Sequence, residues 1–238
     1  MEYPQAQPLG EEALLLQWDE RVDARLNAAV HAAATIVRSA ALPGVHELVP
    51  AYASLLVRFD ASIWSTGGRR DAHAALHAKL IEILAAGGGK VEVAPPPARV
   101  HEIAVRYGGE DGPDLAGLAS TLGLDEAEVI TRHTAPLYRV AMLGFAPGFA
   151  YLLGLDPRLA APRRPRPRTR VPAGSVAIGG LQTGIYPAAL PGGWQLVGRT
   201  ARVLFDAARQ PPALLQPGDG VRLVALFPHA AASGRASV

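Results

Sequence analysis

Residues 171–187 read VPAGSVAIGGLQTGIYP. Two apolar pieces of strand length, 175–178 and 183–186, are parted by Gly179-Gly180 and bounded by Pro172 and Pro187. Glycine and proline are the strongest local punctuation, and apolar runs this short between them suit strands rather than helices. The same texture continues on both sides. VAMLGF (140–145), AYLLG (150–154), WQLVG (194–198) and RVLF (202–205) are further short apolar pieces, and residues 141–205 hold 10 Gly and 8 Pro. Many short strands separated by turn residues predict a β-barrel or sandwich. PGDGVRLVALF (217–227) adds a turn and a last strand, and the final HAAASGRASV reads as a mobile tail.

Upstream of this region the pattern changes. VHEIAVRY (100–107) alternates as a half-buried strand does. Residues 114–122 and 126–134 read as short helices around Gly123, the second with a capping box of Asp125 and Glu128. In the first hundred residues, EEALLLQW (11–18) reads as a strand and 23–41 as a helix, with Leu26, Val30, Ala33, Ala34 and Val37 at helical spacing. Residues 45–60 predict two short strands around Pro50. Residues 71–86 predict a helix with Asp71 as N-cap, an apolar stripe of Leu76, Leu80, Ile83 and Leu84, and a stop at Gly87. A short strand, Lys90–Val93, follows. Pro95-Pro96-Pro97 cannot belong to a central strand. The predicted organisation is therefore an α+β domain of split-βαβ type over 1–97, then a mainly-β domain over 98–238.

Composition narrows the function. The 238 residues are 49% hydrophobic and 18% charged, a globular balance, and contain no cysteine. Disulfides, thiolate metal sites and a cysteine nucleophile are excluded. No apolar run is long enough for a membrane span, and the acidic N-terminus lacks the basic start of a signal peptide, so a cytoplasmic protein is expected. A formal net charge of +2 does not suggest bulk nucleic-acid binding. Charge is nevertheless uneven: residues 141–205 hold eight Arg against one acid, Asp156. Arginine in place of lysine has a bland explanation in genome composition. Its local clustering points to an anionic ligand or an acidic partner surface, because the guanidinium fork matches carboxylate and phosphate.

Candidate chemistry is sparse. His73 and His77 have i, i+4 metal spacing but no third ligand, which favours a polar helix face, and no metal site is expected. Gly179-Gly180 and Gly192-Gly193 lack the context of a phosphate loop. The helix pair 114–134 offers mainly Arg132 to a base edge, too little for a helix-turn-helix reader. His133 ends its helix, where the macrodipole favours an imidazolium; a plain C-terminal histidine is the competing reading. Arg163, Arg164, Arg166, Arg168 and Arg170 alternate with Pro162, Pro165 and Pro167, a stiff cationic rod or a solvated loop. The densest signal joins 144–152, 171–187 and 191–196. There glycines allow close approach, and Gln182, Gln195, Thr183 and Tyr186 offer groups for a small planar amide or carboxylate.

GFAPGFAYLLGLDPRL (144–159), PRTRVPAGSVAIGGLQTGIYP (167–187) and PGGWQLVGRT (191–200) resemble the B subunit of bacterial 5-oxoprolinase, a family also called allophanate hydrolase subunit 1 or KipI-like. Tyr107-Gly-Gly-Glu, Gly112-Pro-Asp-Leu115, Glu128-Val-Ile and Leu214-Leu-Gln-Pro-Gly-Asp219 also fit, and the likeness runs from about residue 9 to about 227. The N-terminal match is looser, with Glu11-Glu12 where the family usually has Gly-Asp. The resemblance implies a cyclophilin-like second domain and partner subunits C and A in a hetero-oligomer. Together they open the lactam of 5-oxo-L-proline to L-glutamate with ATP, which the complex uses without clear binding by this chain. A pocket on the barrel follows, for a small anionic or amide substrate. Gly144–Phe149 would supply backbone N–H groups; Phe145, Gly148, Phe149, Gln182, Thr183, Gly184, Tyr186 and Gln195 would line it. Arg168 would hold carboxylate or phosphate, and His133 would be the general acid or base. Neither nucleic acid nor membrane enters. Two other readings of the family stay open: a histidine-kinase inhibitor, or a urea-type carboxyltransferase component.

Overall fold

Helix starts and strand alternation set the first unit, Met1–Pro97, of the two into which the chain divides. The structure, a computed structural model, describes residues 4–65, 69–87, 97 and 99–226. Strands β1 (Gln5–Pro8) and β2 (Ala13–Gln17) form a hairpin. Helix α1 (Ala24–Ser39) starts at Asp23, whose side chain accepts from the Arg25 and Leu26 amides at 2.9 Å. Strands β3 (Val45–Pro50) and β4 (Ser54–Phe59) follow, then the short α2 (Ala61–Trp64) and α3 (Arg69–Ala86). The sheet order β1-β2-β4-β3 inserts β4, antiparallel to both, between β2 and β3. That is the expected split β-α-β arrangement.

Alternation along β2 and β4 buries Leu14, Leu16, Leu55, Val57 and Phe59 in one cluster with Val30, Ala33, Ala34 and Val37 of α1 and Leu76, Leu80 and Leu84 of α3. Burying a side chain of this size is worth about 1.5–3 kcal/mol. Three details differ from the sequence reading. β1 was not expected, because Gln5–Pro8 carries no apolar alternation; it is held at the edge by pairing with β2 and by Ala6 against the core. α3 starts at Arg69, so Asp71 lies in its first turn, where its charge faces the positive end of the helix, and is not the cap. His73 is buried edge-on against Phe59, with ring centroids 5.2 Å apart, rather than on a polar face. The strand expected at Lys90–Val93 and the C-terminal tail lie outside the described residues.

The second unit, Ala98–Val238, is built on a closed barrel. β5 (Val100–Tyr107) leads to α4 (Leu115–Leu122) and α5 (Glu126–Thr134). Gly123, at φ 66°, ends α4 in the left-handed conformation that a glycine adopts without strain. Asp125 caps α5 through the Glu128 amide at 2.7 Å. Glu128 does not complete a capping box; its side chain pairs with Arg132. β6 (Leu137–Leu143), β7 (Ala150–Leu153), β8 (Arg168–Val171), β9 (Ser175–Gly179), β10 (Gln182–Ile185), β11 (Leu190–Gly192), β12 (Gln195–Arg199) and β13 (Gly220–Leu226) complete the unit.

The barrel order is β10-β7-β6-β13-β5-β12-β9. β5 and β13, far apart in sequence, pair in parallel over seven positions. The barrel therefore begins at residue 100, ahead of the two helices and of the glycine-rich stretch 141–205. Inward residues Ile103, Val105, Val140, Leu152, Val176, Ile178, Ile185, Val197, Val221 and Leu223 fill it. β8 and β11 form a separate two-stranded sheet.

Candidate functional site

Strand parity decides which motif residues meet. Along β10, Thr183 and Ile185 are buried inward, while Gln182, Gly184 and the following Tyr186 fall on the outer face. Ala177 and Leu196 lie on that outer face too, under a second cluster with Phe149, Val171, Tyr186 and Trp194. Its rings meet edge to face: Phe149–Tyr151 at 4.9 Å, Phe149–Tyr186 at 5.3 Å, Phe149–Trp194 at 5.7 Å and Tyr151–Trp194 at 5.9 Å. Phe145 joins at 5.4 Å from Phe149 and is 60% exposed. Such contacts add roughly 0.5–1.5 kcal/mol each beyond area burial. The strand glycines make this packing possible. A Cβ on Gly179 would stand 2.6 Å from the Trp194 ring, and one on Gly184 3.2 Å from both Phe149 and Trp194. Those glycines receive aromatic rings, where the sequence suggested room for a ligand.

The turn between β6 and β7 borders this cluster. Gly144 N–H donates to Phe149 C=O, Ala146 N–H to Gly144 C=O and Phe149 N–H to Ala146 C=O, at 2.8–3.2 Å. The N–H groups of Phe145 and Gly148 have no partner among the described residues. Phe145 sits at φ 67°, a conformation that costs a non-glycine residue roughly 1–3 kcal/mol. Gly148 has φ 80°, and a Cβ there would stand 2.7 Å from that of Phe205. The turn thus holds two free amides beside an exposed ring.

The arginine-rich strap is anchored, not a free rod. Asp114, which the sequence reading passed over as a site residue, is 9% exposed and accepts four hydrogen bonds. Arg168 Nη1 and Nη2 reach its two oxygens at 2.9 and 2.8 Å, Arg164 Nη1 reaches Oδ1 at 2.9 Å, and the Leu196 amide reaches Oδ2 at 2.7 Å. Burial pushes its carboxyl pKa up, but the Arg168 hydrogen bonds and the Leu196 amide outweigh it, and the net shift is down. Arg168, expected to hold a ligand anion, is engaged by an internal one. Arg163 is different: its Cζ lies 5.9 Å over the Trp194 ring, and it pairs with no carboxylate among the described residues. Gln195 Nε2 donates to the Pro162 carbonyl at 3.0 Å, so its amide holds the strap. Tyr186 is buried; burial raises its phenol pKa, and nearby Arg163 draws it back.

His133 also departs from expectation. It is wholly buried, and desolvation lowers its pKa to about 3, so the imidazolium that the helix end would favour is not formed. Nδ1 lies 2.7 Å from the Tyr107 hydroxyl and Nε2 2.9 Å from Thr183 Oγ1, which in turn donates to the Ala177 carbonyl at 3.0 Å. Tyr138 donates to the His133 carbonyl at 2.7 Å. His133 and Thr183 therefore form a bridge inside the barrel, away from the outer-face cluster. The alternation TGIY could have put Thr183 on the opposite face from Gly184; no local signal placed His133 beside it.

No group of three His, Asp or Glu residues among the described residues could hold a metal. No described helix is long and apolar enough to cross a membrane.

Residues 4–215 match the family described as carboxyltransferase domain, subdomain C and D. The chain is 43% identical over 223 residues to the 5-oxoprolinase B subunit of Bacillus subtilis (strain 168), covering 92% of each. It resembles the solved protein TTHA0988 with TM-score 0.75 and 39% identity, over 91% of this chain but 40% of that one. The urea carboxylase of Kluyveromyces lactis, at 22% identity and TM-score 0.71, covers 93% of this chain and 22% of its own, a likeness of fold alone. On these matches the protein belongs to the carboxyltransferase subdomain C and D family, alongside the B subunits of 5-oxoprolinase.

Proposed function

We propose that this chain is the B subunit of a complex that opens the lactam of 5-oxo-L-proline to L-glutamate with ATP hydrolysis, together with companion subunits C and A. The observation that carries this reading is the 43% identity to a 5-oxoprolinase B subunit along 92% of both chains. The outer-face cluster is compatible with it. The exposed Phe145 ring and the half-buried Tyr151 offer a surface for a small flat ring, the free amides of Phe145 and Gly148 can donate to an oxygen, and Arg163 supplies positive charge. A lactam is a resonance-stabilised amide and a poor electrophile, which is the chemical reason for coupling its opening to ATP. The glycine pairs Gly179-Gly180 and Gly192-Gly193 of the barrel unit are both taken up by internal packing. Gly179 packs under Trp194, Gly180 bridges to Ala161, Gly192 packs on the Tyr186 hydroxyl and Gly193 accepts from the Arg164 amide. Neither glycine pair is left to wrap a phosphate, so in this proposal ATP is held by a companion subunit.

The test is glutamate formation from 5-oxo-L-proline by the co-expressed, co-purified complex, with and without ATP. ATP-dependent glutamate that vanishes when this chain is omitted supports the proposal. Turnover that persists without this chain, or a stable complex with no turnover, overturns it.

A further inference from the structure

Five arginines stand on the strap, and the structure gives them unequal work. Arg164 and Arg168 are both held by Asp114, through three hydrogen bonds of 2.8–2.9 Å. Arg166 and Arg170 are exposed, as Arg163 is, and neither makes a ring contact among the described residues. Among the described residues, Arg163 is the strap arginine whose guanidinium lies over a ring of the aromatic cluster. Its backbone is pinned on both sides: the Pro162 carbonyl accepts from Gln195 Nε2 at 3.0 Å, and the Arg164 amide donates to the Gly193 carbonyl at 2.7 Å. The guanidinium is thus delivered over Trp194, beside the half-buried Tyr151. Its charge is felt by the hydroxyls of both Tyr151 and Tyr186, where it opposes the upward push of burial. A guanidinium over an indole keeps its outward N–H donors available to a carboxylate.

We infer that Arg163 binds the carboxylate of the substrate, and that Asp114 is the positioning residue that makes this possible. By holding Arg164 and Arg168, Asp114 fixes the strap and keeps the hydrogen-bond donors of those two guanidinium groups turned to an internal carboxylate. This inference rests on the proposed lactam-opening reading and names the group that recognises the acid part of the substrate. Arg168, the arginine singled out from sequence, then has a structural place in the same device.

The experiment is steady-state kinetics of 5-oxo-L-proline opening by the full complex, wild type against Arg163→Ala, Arg163→Lys, Asp114→Asn and the double variant Asp114→Asn/Arg163→Ala. Loss of a charge-assisted hydrogen bond to substrate corresponds to about a tenfold or greater rise in KM. Arg163→Ala should show that rise with kcat changed far less, and Arg163→Lys should recover part of it. Asp114→Asn should raise KM in the same direction, and the double variant should be no worse in KM than Arg163→Ala alone, because Asp114 acts through Arg163. A KM unchanged by Arg163→Ala in an active complex overturns the inference and leaves the lactamase reading standing. Additive KM effects in the double variant overturn the role of Asp114. Should Asp114→Asn fail to fold, Arg164→Ala, which removes one strap contact and leaves Arg168 on Asp114, takes its place, with the same KM shift expected and an unchanged KM counting against positioning. A wild-type complex that makes no glutamate overturns the reading itself, and the inference with it.

Discussion

Thr183 Oγ1 and His133 Nε2 lie 2.9 Å apart inside the barrel, and the direction of that bond fixes the tautomer of the ring. Thr183 has one hydroxyl proton and gives it to the Ala177 carbonyl, 3.0 Å away. It therefore accepts from His133, so Nε2 carries the proton and Nδ1 accepts from the Tyr107 hydroxyl. The chain of donors runs from β5 through α5 to β10 and its paired neighbour β9, and so ties β5 to two strands that it does not pair with in the barrel. A neutral imidazole with both nitrogens engaged is a structural bridge.

The first prediction concerns pH. Native His133 takes a proton only near its lowered pKa of about 3, whereas the unfolded chain takes one near 6.5. A lowered native value means that stability is fully present above the unfolded pKa and is lost as pH falls from 6.5 toward 3. The slope is about 1.4 kcal/mol per pH unit within that window. Urea unfolding between pH 6.5 and about 4.5, above the main carboxylate range, should show it for the wild type. His133→Gln, which cannot take up this proton, should flatten the curve; equal slopes would count against a neutral buried imidazole.

Thr183→Val removes the acceptor of the Nε2 proton while keeping the side-chain shape. An unpaired buried donor costs about 1–3 kcal/mol. The variant should unfold at lower urea concentration with an unchanged denaturant slope. Since Thr183 faces inward, the KM for 5-oxo-L-proline should stay at the wild-type value. A large KM effect with no stability loss would return Thr183 to the ligand site.

Gly148→Val tests the turn. A left-handed φ of 80° and a Cβ position 2.7 Å from that of Phe205 together predict strain as well as lost activity. The thermal midpoint should fall, and backbone relaxation should spread to 204–205. A variant as stable as wild type would show that the turn and the Phe205 segment can part freely.

Arg168→Ala leaves Asp114 with Arg164 and the Leu196 amide only. Removing one member of a partly buried pair is expected to cost about 1–3 kcal/mol here, less than a fully buried pair because the Arg168 side chain is 24% exposed. Thermal unfolding should register that loss. The loss should shrink in an Asp114→Asn background, since the two residues share one interaction, and a fully additive result would sink the pairing.

Several features were open to reading from the chain alone. The helices at 24–39 and 126–134 carry side-chain caps and apolar spacing, and both signals are local. The barrel class followed from short apolar pieces cut by Gly and Pro. The wall at β5 was legible as a strand but not as part of the barrel, because its parallel partner β13 begins more than a hundred residues later. The site shows the same division. The motifs around Phe145, Tyr186 and Trp194 stood out as a site, whereas Asp114, at the start of its helix, read only as part of a short motif, because its arginine partners lie 50 and 54 residues further on.

Local chemistry by itself determined where the helices at 24–39 and 126–134 start, where strands turn and which stretch would be rich in cations. Only the tertiary structure decided the job of each polar group, because that depends on neighbours distant in sequence. Closure of the barrel put Thr183 inside and Gly184 outside, buried His133 until its charge became too costly to form, and set Asp114 beneath Arg164 and Arg168. An arginine is the same cation anywhere in a sequence; a buried carboxylate 2.8 Å from Arg168 and an indole 5.9 Å from Arg163 are what make two neighbours on one strap different.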